Sequence, residues 1–112
     1  MSIAGDLIRG HTDAIILARL IQSDSYGYEI NKIILTLSSG RFELKEATLY
    51  TAFKRLEEQG CIASYWGDSG AGARRRYYTI TSSGKELYHR LMREWFDTKE
   101  IMDKLLYAEV EK

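Results

Sequence analysis

The side chains most able to do chemistry in this chain are those that bind polyanions. Lys45, Ala47, Tyr50, Thr51, Lys54 and Arg55 fall within one short run, and Arg74, Arg75 and Arg76 follow downstream. Lysine and arginine neutralise phosphates, and tyrosine and threonine hydroxyls donate hydrogen bonds to backbone or base edges. A small alanine permits close approach in a major groove about 12 Å wide. The implied partner is double-stranded DNA.

Bond-breaking chemistry finds no comparable set. No phosphate-binding loop, dinucleotide fingerprint, Cys-x-x-Cys or pair of catalytic carboxylates is present. His11 and His89 belong to no metal-ligand or nucleophile-base pattern. Cys61, the single cysteine, reads as a small buried hydrophobe rather than a redox switch. The expectation is a binding protein and not an enzyme, with no cofactor and no metal.

Positioning those side chains requires a helix followed by a hairpin. Over Lys45 to Gly60, at about 100° per residue, Leu49, Ala52, Phe53 and Leu56 point one way. Ala47, Tyr50, Thr51, Lys54 and, at the edge, Arg55 point the other. Lys45 stands at the cap position, which Ser, Asn or Asp would fill better. The runs 61–66 and 74–81 are rich in aromatic and β-branched residues and flank a glycine-rich turn, which predicts a β-hairpin. Strand alternation sends Arg75 to one side and Arg74 and Arg76 to the other, so only part of the triplet can touch DNA. Gly70, Ala71 and Gly72 would let the hairpin tip follow a minor groove.

Apolar recurrence over Asp6 to Ile21 predicts a first helix. A second begins with Asp24 or Ser25 as cap and stops at Ser38-Ser39-Gly40. Residues 41–44 read as a short strand or an extended lead-in. After the hairpin, Ser82 or Ser83 caps a helix from about Gly84 to Tyr107, in which Tyr88, Leu91, Trp95, Thr98, Met102 and Leu105 step by three and four. Such a helix is about 35 Å long, more than a three-helix core can cover, so a second copy of the chain is the expected cover and these six residues the expected dimer interface.

Composition sets the outer bounds. The 112 residues suit an ordinary core at 45% hydrophobic content, and 16 basic residues balance 16 acidic ones. Only residues 41–81 are locally basic, by an excess of two. The start of the chain lacks the features of a signal peptide and no apolar run approaches the roughly 20 residues of a membrane span, which points to the cytoplasm. The fold class read from this order is α+β, a winged helix-turn-helix over residues 1–81 with a long C-terminal dimerisation helix over 82–112.

Arg9-Gly-His-Thr12, Ser25-Tyr-Gly-Tyr-Glu-Ile30, Glu46-Ala-Thr-Leu-Tyr50, Arg55-Leu-Glu57, Ser64-Tyr-Trp66 and Arg74-Arg-Arg-Tyr-Tyr78 together resemble the PadR family of bacterial transcriptional regulators, from about Leu7 to Leu106. The compact size is similar to its short subfamily, which includes a multidrug-binding repressor. The resemblance implies a homodimer that represses a promoter, binding a palindromic operator, until a small molecule binds. It also implies that Trp95 from each subunit stacks a planar aromatic effector, with Leu7, Gly10 and Ala14 lining the same cavity. Against this, a tryptophan on such a seam serves equally as dimer core. Lys99, one turn beyond Trp95, would favour an anionic ligand or, the better reading, form a surface pair. The rival functions are a winged-helix protein-interaction module and a small-molecule sensor without DNA binding.

Overall fold

The computed structural model describes residues 7–68 and 74–109. Within these, helices α1 (Thr12–Leu20), α2 (Gly27–Leu37) and α3 (Glu46–Glu58) precede strands β1 (Ile62–Asp68) and β2 (Arg74–Ile80), and helix α4 (Ser82–Tyr107) closes the chain. The strands pair antiparallel, with Tyr65 opposite Tyr77 and Trp66 opposite Arg76. The expected wing tip at Gly70, Ala71 and Gly72 lies outside the described residues.

The core collects one apolar face from every element. Ile16, Leu17 and Leu20 of α1, Ile30 and Ile34 of α2, and Leu49, Ala52, Phe53 and Leu56 of α3 enclose it with Leu44, Ile62 and Tyr78. Phe53 and Tyr78 stack with ring centroids 4.0 Å apart, which locks α3 to the hairpin. Leu87, Tyr88 and Leu91 add the first turns of α4 to this core. Beyond Leu91 the helix side chains are exposed, although Trp95 still touches the His11 ring.

Three local expectations are corrected by contacts made in the fold. The first helix is not continuous, because a separate helical turn at residues 7–9 ends at Gly10 and His11. There the His11 amide donates to Ile8 O at 2.8 Å, and the Thr12 hydroxyl donates to Arg9 O at 2.6 Å. Neither Asp24 nor Ser25 caps α2; the cap residue is Tyr26, with extended backbone and no side-chain bond. Ser25 is instead drawn into a bridge, its amide donating to Tyr78 O and accepting the Tyr78 amide at its carbonyl. Nor do Ser82 or Ser83 cap α4, since Thr81 Oγ1 accepts from the Gly84 amide while donating to Gly60 O at 2.6 Å. Residues 41–44 form the extended lead-in, held because the Asn31 side-chain amide bonds both the amide and carbonyl of Leu44. Gly60 ends α3 as expected, at a φ of +74° that a side chain would strain.

Candidate nucleic-acid interface

The outward side of α3 divides into two edges. Its buried stripe of Leu49, Ala52, Phe53 and Leu56 anchors the helix, leaving Ala47, Tyr50, Thr51, Lys54 and Arg55 exposed. Ala47, Thr51 and Arg55, four residues apart, face a groove of about 640 Å³ between α1, α3 and α4. Tyr50 leans the opposite way, over Gly27 at the start of α2 and edge-on to Phe53. The Lys54 side chain makes no hydrogen bond or ion pair with another described residue, and Lys45 caps α3 by backbone alone.

Arg55 is not free. Its guanidinium donates to Asp13 Oδ1 in the first turn of α1, across a sequence separation of 42. Asp13 was not among the side chains singled out from the sequence, and no local pattern links it to α3.

The three wing arginines differ in the same way. Arg75 lies over the Tyr26 ring, 4.5 Å from its centroid, and Arg74 over Trp66 at 5.3 Å. Arg76 is tied to the body of the fold, donating to Ser64 Oγ at 2.9 Å and pairing with Glu57 at 3.3 Å. Ser64 in turn donates to Glu57 at 2.6 Å, so the arginine and its acid share a third partner. Alternation along β2 thus puts Arg75 and Arg76 on opposite faces, as the pleat requires.

An aromatic cluster sets the wing's posture and was not singled out from the sequence. Tyr65 and Tyr77 stack at 5.6 Å, and Tyr77 meets Tyr26 edge-on at 5.3 Å. The Tyr65 hydroxyl donates to Asp24 Oδ2 at 2.7 Å, a bond that raises the phenol above its ordinary pKa of 10.0. The Tyr77 ring sits beside Gly67, where a Cβ would collide with its Cδ2 and Cε2. The sequence signal was present in the tyrosines at cross-strand positions; what was missing was the register that pairs them.

Of the residues expected to hold a ligand, Gly10, Ala14 and Trp95 line the groove together with Ala47, Thr51 and Arg55. The His11 ring meets Trp95 edge-on at 5.0 Å. Leu7 and Lys99 do not line it; Leu7 is exposed and the Lys99 ammonium lies over Phe96. The expected dimer seam is likewise divided. Tyr88 and Leu91 are half-buried against their own subunit, whereas Trp95, Thr98, Met102 and Leu105 are exposed. Among the described residues no cluster of three metal-ligating side chains occurs, and no helix is long and apolar enough to cross a membrane.

Comparison with known proteins places this geometry. The profile of the Transcriptional regulator PadR-like family matches residues 16–90. A solved transcriptional regulator from Clostridium thermocellum is 46% identical, with 94% of this chain and 99% of that one covered and a TM-score of 0.85. A PadR family transcription regulator from Clostridium difficile is 37% identical, with 86% and 98% covered and a TM-score of 0.74. The curated Lysinibacillus sphaericus protein named Uncharacterized protein X is 46% identical over 101 residues, 90% of this chain and 93% of its own length.

Proposed function

This chain belongs to the PadR-like family of transcriptional regulators, which bind DNA and are not enzymes, and from that premise we propose that it is a cytoplasmic, ligand-responsive repressor acting as a homodimer on a palindromic operator. The observation that carries the DNA part is the division of labour on α3. One face is buried in the core, so the helix is rigidly mounted, and the other presents Tyr50, Thr51 and Lys54 to solvent. The N-terminal end of α3 enters a major groove, and Arg75 on the wing reaches the flanking phosphates. Residues 82–112 serve as the dimerisation segment.

Support for the dimer comes from the far half of α4. Trp95, Phe96, Ile101, Met102, Leu105 and Leu106 are all exposed on a single helix, a larger apolar surface than an isolated helix keeps in water. Two copies joined there hold two recognition helices for half-sites about 34 Å apart. Fluorescence polarization with duplex DNA from the promoter of its own gene, across a salt series, tests the reading. Binding that weakens steeply with salt supports it, and a slope near zero overturns it. Met102→Glu, which places a charge in the proposed interface, converts the protein to monomers in sedimentation velocity and abolishes promoter binding. A wild-type chain that already sediments as a monomer overturns the dimer.

The groove beside Trp95 favours an effector site as well. A planar aromatic compound stacking on the indole quenches its fluorescence. A response unaltered in Trp95→Ala removes Trp95 from that role. A protein-interaction module is separated by Lys54→Glu with Arg55→Glu: loss of promoter binding with the dimer intact is expected of a DNA reader.

A further inference from the structure

We infer that Asp13 is an internal competitor for DNA phosphate: its carboxylate occupies Arg55, and so sets how tightly the interface grips DNA. The inference rests on the DNA-binding reading above and names a residue on α1, outside the recognition helix and the wing, as the one that tunes them.

Three observations carry it. Arg55 ends the Ala47, Thr51, Arg55 edge of α3, and its guanidinium is turned across the groove onto Asp13. The pair is open to solvent, with 46% of the arginine and 30% of the aspartate side chain exposed, so a phosphate oxygen can reach the same N–H donors. Carboxylate and phosphate offer a guanidinium equivalent acceptor chemistry, and an exposed ion pair is held weakly enough to exchange. The contrast with Arg76 is informative. There the acid, Glu57, is bound a second time by Ser64, so that arginine is locked into the fold. Asp13 has Arg55 as its one ion-pair partner among the described residues.

Position on α1 makes the exchange feasible for the acid too. Asp13 lies in the first turn of its helix, where the unpaired amides and the helix dipole stabilise a negative charge after the arginine leaves. While the pair is closed, Lys54 is the one cation in the last two turns of α3 available to DNA. Releasing Arg55 adds a second, next to it in sequence.

The test is a double-mutant cycle on the full chain, read by polarization with a fluorescent mixed-sequence duplex of about 30 base pairs between about 50 and 200 mM KCl. Asp13→Asn is expected to bind roughly fivefold tighter at the low-salt end, with the log-log salt slope steeper by about 0.9, the increment of one further phosphate contact. In an Arg55→Gln background the same change is expected to alter neither affinity nor slope. Asp13→Ser serves as a second variant, and urea midpoints confirm that each protein is folded. Weaker or unaltered binding by Asp13→Asn, or a gain that persists without Arg55, overturns the inference while leaving the DNA-binding reading intact. Absence of salt-dependent binding in the wild type and every variant overturns both.

Discussion

Tyr50 lies across the first turn of α2, so close to Gly27 that a Cβ there would come within 2.8 Å of the tyrosine hydroxyl oxygen. The glycine is thus what lets a side chain of the recognition helix settle over the neighbouring helix. Its own backbone is helical and imposes no left-handed φ, so the space and not the conformation requires it.

Gly27→Ala tests the consequence. The added methyl meets the far end of a mobile ring, so the ring swings and the backbone stays; stability by urea denaturation is expected to change by less than about 1 kcal/mol. Promoter affinity is expected to fall several-fold because Tyr50 is displaced. Unaltered affinity would put Tyr50 outside the contact surface.

The wing arginines are expected to separate by their partners. Arg75→Gln removes a cation held over an aromatic ring at the surface, and the log-log salt slope of DNA binding becomes shallower by about 0.9. Arg76→Gln leaves the slope unaltered and costs at most about 1 kcal/mol, the worth of an exposed ion pair, because that guanidinium already serves Glu57 and Ser64. Equal slopes for the two variants would refute the distinction.

Gly84 is tight for a different reason. A methyl there would run into the Cys61 carbonyl oxygen and the Ile80 side chain, at the corner where α4 leaves the hairpin. Backbone cannot swing aside as a ring does, so Gly84→Ala is expected to lower unfolding stability by about 1 to 3 kcal/mol, read from the urea midpoint. A variant as stable as the wild type would show that this corner is loosely packed.

Two tyrosines make the fold sensitive to alkali. Tyr65 is raised above 10.0 first by its hydrogen bond to Asp24, and Tyr78 first by burial. Both keep their protons in the folded chain to a higher pH than in the unfolded chain, so the unfolded state releases them first. The stabilisation is complete below about pH 10 and is lost as pH rises through the folded values. Urea midpoints are expected to fall above about pH 10, and less steeply in Tyr78→Phe, which keeps the stack on Phe53. An identical fall in that variant would acquit Tyr78.

Much of this protein is written in its local pattern. Three- and four-residue recurrence of Leu49, Ala52, Phe53 and Leu56 is enough to say which side of α3 packs, because a helix turns by a constant angle whatever surrounds it. The hairpin, the long last helix and the stop at Gly60 follow from equally short-range preferences. The starts of α2 and α4 did not, since Ser25 was claimed by Tyr78 and Thr81 by Gly60, partners distant in the chain.

The same boundary runs through the candidate site. Periodicity states the direction in which Arg55, Arg76, Tyr88 and Leu91 leave their own backbone, but not what they meet. Asp13 approaches Arg55, Glu57 and Ser64 approach Arg76, and the head's own core receives Tyr88 and Leu91. Those encounters exist only after separate elements have packed together, and they decide which cations stay available to a phosphate and which apolar side chains remain for a partner. Local geometry is a property of a few consecutive residues; the fate of a charge or a hydrophobic side chain depends on neighbours that folding brings from elsewhere in the chain.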